Sequence, residues 1–341
     1  MAQRGSHVIV DLSELEGRAV AALDPPAAAY ITRGAGDDDT RRANLDAWRA
    51  LRLRPHVLRD VSTVDATTTV LGIPIAAPIL VAPTALQQLM CSDGERATAR
   101  AAAAAGSVMI TSMASSFPLA EIATAAPAAP RFAQMYVLRD RGKSRALAEA
   151  ARDAGVRAIV ASVDAGAIPY GRHATAELPA HVTELVDEYD ASVTVDDIMQ
   201  LGAWSGLPIV AKGVLRGDDA ATCVAAGVAA VYVSNHGGRL VDGCVDTAAA
   251  LIDVVRAVHG RADVYVDGGI RSGVDVLRAL ALGATAAAIG RPVLWGLATG
   301  GEAGAHAVLE QFRSDLVRAM AFCGAGTLDD VDADLVLPSG A

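Results

Sequence analysis

The chain has 341 residues and a formal net charge of −10. That acidic balance, with no basic stripe, argues against nucleic acid, whose phosphates are bound by clustered Lys and Arg; the expected partner is a small molecule. Four cysteines, Cys91, Cys223, Cys244 and Cys323, fall at irregular spacings with no Cys-x-x-Cys pair, so neither a disulfide framework nor a zinc site is signalled, and a reducing cytoplasm fits.

Taken in chain order, the first turns carry Arg4, Asp11, Glu14 and Glu16 in place of the apolar core of a secretory signal. Helix-like stretches near Leu12–Leu23 and Asp39–Trp48 make residues 1–70 a helical cap on the rest of the chain. Val70–Met90 is charge-free and of membrane-spanning length, but Pro74, Pro78 and Pro83 interrupt it. It reads as a buried strand and its loop, with no membrane partner. Strand-like runs then recur at Pro78–Ala82, Val108–Ser112, Arg131–Tyr136, Arg157–Val163, Pro208–Lys212, Val228–Ser234, Asp263–Asp267 and Ala286–Gly290, most followed by helical Ala-, Leu- and Arg-rich sequence. These runs are continuously apolar, as strands covered on both faces are. Eight such units predict an α/β protein, a (β/α)8 TIM barrel over residues 71–341. A barrel takes about 250 residues, which leaves too little chain for a second large core. An open doubly wound sheet shares this periodicity and stays an alternative.

Barrels place reacting groups at the carboxyl ends of their strands. There stands Ser234-Asn235-His236-Gly237-Gly238-Arg239, a base and a cation directly after an apolar run. The chain writes Arg almost everywhere and keeps only two lysines. Lys143 lies in a solvated helix start, whereas Lys212 ends the run Pro208–Ala211 and places a compact ammonium where it could hold negative charge on a cofactor. The turns Asp267-Gly268-Gly269-Ile270-Arg271 and Gly290-Arg291-Pro292 put glycine beside arginine after the seventh and eighth strands, the usual phosphate location in barrels. A phosphorylated cofactor lying across the mouth, with a base above it, is the expectation.

The stretch Ser234–Gly243, with Lys212, Asp267–Arg271 and Gly290–Pro292, resembles the FMN-dependent α-hydroxy acid oxidases and dehydrogenases, the family of glycolate, lactate and mandelate oxidases. The likeness covers nearly the whole chain: Tyr30 with Gly34-Ala35-Gly36-Asp37-Asp38-Asp39-Thr40, Ala82-Pro83-Thr84-Ala85, Gln134-Met135-Tyr136 and Val163-Asp164 resemble further family motifs. It implies FMN as cofactor and hydride acceptor in the oxidation of a 2-hydroxy acid to the 2-oxo acid. His236 would be the base, Asp164 its orienting carboxylate, and Arg239, Tyr30 and Tyr136 the hydrogen-bond donors to substrate. Lys212 would face the N1 and O2 edge of the flavin. Thr84, Ala85, Ser112, Gln134, Ser162, Ser234 and Asp267 would line the flavin, and Gly269, Arg271, Gly290 and Arg291 its phosphate. A homo-oligomer, a tetramer, is implied as well.

The sequence also departs from the family pattern. After Val163-Asp164 the spacing is two residues longer than in the family, and His173, next to Arg172, stands where a second substrate-binding arginine is expected. Ala114 replaces a frequent aromatic, and the loop Ala174–Thr194 is a short lid. These departures imply a wider pocket, suited to a larger or aromatic side chain. Oxidation of an amine or a peptide-derived intermediate, or a flavin-binding protein without turnover, remain alternatives, and the acceptor that reoxidises the flavin is open.

Overall fold

In a computed structural model, which describes residues 11–165 and 188–337, eight parallel strands form a closed barrel. They are β1 (Ile79–Val81), β2 (Met109–Thr111), β3 (Arg131–Met135), β4 (Ala158–Ser162), β5 (Ile209–Val214), β6 (Ala230–Val233), β7 (Asp263–Val266) and β8 (Ala286–Ile289). Ala287 to Ile289 of β8 pair with Ile79 to Val81 of β1, and this closure rules out the open sheet. Seven of the eight strands lie inside the runs expected from sequence, and β5 runs on to Val214.

Alternate strand residues point into two separate apolar layers. Leu80, Ile110, Phe132, Val160, Val210, Tyr232 and Tyr265 fill the barrel, while Ile79, Val81, Met109, Ile159, Ala211 and Val231 pack outward beneath the helices. Burial on both faces is why the strands read as unbroken apolar runs. The hairpin Thr68–Val70 with Ile73–Ile75 adds Val70, Ile73 and Ile75 to the interior layer and plugs the amino-terminal end of the barrel. Val70–Met90 is therefore a hairpin strand, β1 and a short turn. No helix among the described residues is long and apolar enough to cross a membrane.

Three helices precede the barrel: α1 (Leu12–Ala22), α2 (Pro25–Thr32) and α3 (Asp39–Ala50). Asp11 caps α1 by accepting the Ser13 and Glu14 amides, and Asp24 caps α2, which has proline in its first turn. The outer layer consists of α4 (Gly94–Ala104), α5 (Leu119–Ala125), α6 (Arg141–Asp153), α7 (Val195–Ser205), α8 (Gly217–Ala226), α9 (Thr247–Val258), α10 (Gly273–Ala281) and α11 (Arg291–Phe322). Gly300 and Gly301 leave helical geometry and divide α11 into two helices. Lys143 lies near the start of α6, half exposed and paired with Glu188, as its polar surroundings suggest.

The amino-terminal helices are tied to the strand ends by polar contacts. Asn44 of α3 and Asn235, two residues past β6, exchange side-chain amide hydrogen bonds of 2.9 and 2.8 Å. Fully buried Trp48 donates to the Gly268 carbonyl at 2.8 Å. Asp242 accepts the amides of Asp37 and Thr40, both at 2.8 Å. Hydrogen bonding from Thr40, ahead of Asp37, holds its carboxyl down to about 2.

Candidate active site

At the end of β6, Ser234 Oγ accepts the His236 amide at 3.0 Å, and His236 adopts a left-handed backbone with φ of +57°. That turn aims the imidazole at Asp164, two residues beyond β4, with Nδ1 3.0 Å from Oδ2. Burial pushes the Asp164 carboxyl up, but the charges of His236 and Lys212 outweigh it and hold the group below the ordinary carboxylate range. An ionised Asp164 accepts only, so Nδ1 donates to it and Nε2 is the ring nitrogen left for a substrate. Close approach is possible because residue 213 is glycine. Its φ is +106°, the β5 to β6 register shifts between Lys212 and Val214, and a Cβ there would lie 2.5 Å from the Asp164 Cβ.

Lys212 is only 3% exposed. Its ammonium donates to Ser234 Oγ at 3.0 Å and lies 3.7 Å from Asp267 Oδ2. Ser234 in turn donates to Asp267 Oδ1 at 2.7 Å. One hydroxyl thus anchors both the lysine and the backbone of the base.

The opposite wall comes from β2, β3 and β4. Gln134 donates to Ser162 Oγ at 3.1 Å and accepts from Ser112 Oγ at 3.3 Å and the Met113 amide at 3.2 Å. Tyr136 stacks on Tyr189 with ring centres 4.1 Å apart. Burial, reinforced by the Asp164 charge, pushes the Tyr136 phenol well above its usual range and keeps it a neutral donor. Tyr30 of α2 donates to the Ala85 carbonyl at 3.0 Å, and the Arg239 guanidinium lies 4.8 Å over its ring. Arg239 Nη1 donates to the carbonyls of Tyr30 at 2.7 Å and Arg33 at 3.0 Å, which fixes the guanidinium.

Arg291 binds the carbonyls of Ile31, Gly237 and Arg33 at 3.0, 3.1 and 3.2 Å. Burial and then Arg239, Arg271 and Arg41 push it well below the ordinary guanidinium range. Arg271, against the Trp295 ring at 5.1 Å, is pushed down to about 10 by burial. Among the described residues, no carboxylate ion-pairs with Arg239, Arg271 or Arg291. Like charges gathered in this way, half-buried and without a carboxylate partner, match a doubly charged phosphate.

These walls enclose one cleft of about 1250 Å³, including its open mouth. Tyr30, Thr84, Ala85, Ser112, Gln134, Tyr136, Ser162, Lys212, His236, Arg239, Asp267, Gly269, Arg271, Gly290 and Arg291 all line it. Asp164 and Ser234 stand just behind, reaching it through His236 and Lys212. His173 and Arg172, and most of the expected lid, lie outside the described residues.

Comparison with known proteins decides the family. The profile of the FMN-dependent dehydrogenases matches residues 19–184 and 173–338. The chain belongs to the FMN-dependent dehydrogenase family. An L-lactate oxidase of Nostoc sp. (strain PCC 7120) is 41% identical, over 96% of this chain and 98% of that protein. A peroxisomal (S)-2-hydroxy-acid oxidase of Oryza sativa subsp. japonica is 40% identical, over 97% and 96%. Among solved structures, a mandelate oxidase variant with (S)-mandelic acid aligns with a TM-score of 0.89 at 37% identity, covering 96% of this chain and 97% of that one. The residues of the cleft fit FMN: the arginine cluster suits its phosphate, and a buried ammonium faces the same space.

Several wall residues escape the sequence reading. Leu86 and Tyr189 line the cleft, and no local motif marks them. Gly213, Tyr232 and Asn44 act through contacts distant in sequence. Gly269, expected from its Gly–Arg turn to let the backbone approach a ligand, lines the cleft and also makes room for α3, since a Cβ there would lie 2.5 Å from the Asn44 carbonyl oxygen.

Proposed function

We propose that this chain oxidises a 2-hydroxy acid with a large or aromatic side chain to the 2-oxo acid. FMN supplies the two-electron acceptor for the hydride equivalent. His236 Nε2 takes the substrate hydroxyl proton, and Asp164 stabilises the imidazolium that forms, a contribution of typically 10²–10⁴-fold. Tyr136 donates to the reacting oxygen. Tyr30, its hydroxyl turned from the Ala85 carbonyl, and the fixed guanidinium of Arg239 hold the carboxylate, the latter by charge-assisted hydrogen bonds. Lys212 offsets negative charge arriving on the cofactor. Thr84, Ala85, Ser112, Gln134, Ser162, Ser234 and Asp267 surround the ring system, and Gly269, Arg271, Gly290 and Arg291 take the phosphate.

The observation that carries this reading is the His236–Asp164 pair at 3.0 Å beside a cleft that also holds Lys212 and the arginine cluster. The side-chain preference rests on Ala114, which packs with Leu86 beside Tyr30 and Ala85. An apolar substituent buried there gains about 25 cal/mol per Å². The described part of the segment before the barrel, residues 11–70, serves as a cap completing the site, since Tyr30 and the Ile31 and Arg33 carbonyls come from it. We place the enzyme in the cytoplasm as a homo-oligomer. Exposed Val57, Leu58 and Phe322, at 78%, 103% and 76%, support association.

The test is anaerobic bleaching of the bound flavin by glycolate, lactate, 2-hydroxyoctanoate and mandelate. The two larger acids should give the higher kcat/KM, and Ala114→Trp should cost them at least ~10-fold while sparing lactate, since lost burial of a ring is worth more than about 1.4 kcal/mol. A parent that prefers glycolate or lactate refutes the wide pocket. No bleaching by any acid points to a flavin-binding protein without turnover.

A further inference from the structure

Two tyrosines stand inside the barrel on neighbouring strands, Tyr232 on β6 and Tyr265 on β7. Both are fully buried, and they meet edge to face with ring centres 6.1 Å apart. Their hydroxyls run to opposite ends of β7: Tyr265 donates to Asp263 and Tyr232 to Asp267, each at 2.9 Å. The surrounding interior positions, such as Val160, Val210 and Ala288, are apolar. A hydroxyl among them costs desolvation unless it is bonded, so each tyrosine is explained by its carboxylate.

Asp267 Oδ2 accepts from Tyr232 at 2.9 Å and also lies 3.7 Å from the Lys212 ammonium. The ammonium makes its close contact elsewhere, with Ser234 at 3.0 Å. A neutral donor therefore takes the direct position on the oxygen that the cation would otherwise fill. We propose that Tyr232 is a positioning residue for Lys212: by occupying Asp267 Oδ2, it keeps the lysine out of a direct ion pair and leaves its charge for the cofactor. The inference rests on Lys212 facing FMN, as proposed above.

Without the hydroxyl, a buried carboxylate oxygen lacks its donor, and the ammonium is the nearest replacement. Its charge is then neutralised by Asp267, and electrons on the cofactor are less stabilised. Redox titration of the FMN-loaded proteins reads this directly. Tyr232→Phe should lower the equilibrium constant for two-electron reduction about tenfold, or about 30 mV. Tyr265→Phe, which removes a hydroxyl from the same interior without touching Asp267, should leave it unchanged. Lys212→Met should lower it further.

The coupling is tested in an Asp267→Asn background, where Tyr232→Phe should have no additional effect. This pair also decides the matter should Tyr232→Phe alone not fold, because the unpaired buried charge is then gone. Equal potentials within the pair uphold the inference, and a persisting tenfold difference overturns it. A Tyr232→Phe potential equal to that of the parent, with Lys212→Met shifted, overturns it as well. An unshifted Lys212→Met defeats instead the placement of the lysine against the flavin.

Discussion

Asp164 is the buried charge on which the base depends, and its depressed carboxyl makes that dependence measurable. A carboxyl held below its unfolded value of about 3.9 adds stability above that value and loses it as pH falls through the folded one. Burial opposes this shift, and His236 and Lys212 reverse it. Unfolding free energy should therefore fall more steeply below about pH 4 in the parent than in Asp164→Asn, which has no such proton to bind. Urea midpoints at pH 6 and pH 3 supply the comparison, and parallel declines would show that Asp164 is not held in its charged form. His236→Ala addresses the chemistry: FMN should be retained while its reduction by substrate slows at least ~10²-fold. A variant that reduces at the parent rate places the base elsewhere.

At the scale of elements, strand ends carry the site, and the turn after Lys212 shows how tightly. Gly213→Ala forces a side chain into a left-handed position, at a cost of roughly 1–3 kcal/mol. It also sets a Cβ 2.5 Å from that of Asp164, which must move off His236. Gly155, past the end of α6, has φ of +72° but open space around its Cβ position, so Gly155→Ala carries backbone strain alone. Both variants should melt lower, but only Gly213→Ala should also slow flavin reduction, by ~10-fold or more, since small misplacements are costly in rate. Equal reduction rates in the two variants would show that the close approach of Asp164 to residue 213 has no bearing on catalysis. The strands themselves were legible because burial on both faces writes them as apolar runs, and His236, Lys212 and the Gly–Arg turns were legible because strand ends expose polar residues abruptly. Gly213 was not, since its demand comes from Asp164, 49 positions earlier by the numbering. Tyr189 and Asn44 were hidden for the same reason, and α2 because Pro25-Pro26 interrupts the apolar periodicity that marks a helix.

For the whole molecule, a net charge of −10 coexists with a local gathering of guanidinium groups. Folding brings Arg41, Arg239, Arg271 and Arg291 near one another around the cleft, and burial together with mutual repulsion depresses Arg291. The fold alone does not favour this arrangement, so a bound dianion should contribute to stability as well as to chemistry. A ligand that binds only the folded state stabilises it by about 4 kcal/mol at a thousand times its Kd. Removing FMN should accordingly lower the melting temperature, and restoring FMN should raise it again. Riboflavin keeps the ring system and lacks the phosphate. With two charge-assisted hydrogen bonds lost at roughly 1.5–3 kcal/mol each, it should bind at least ~10²-fold more weakly. Inorganic phosphate alone should recover part of the shift by relieving the repulsion, and Arg291→Ala should shrink both the FMN effect and the gap between FMN and riboflavin. Thermal melts of the apoprotein with each ligand decide it: riboflavin stabilising as well as FMN, or phosphate leaving the apoprotein unmoved, would mean that the arginine cluster is not the phosphate site.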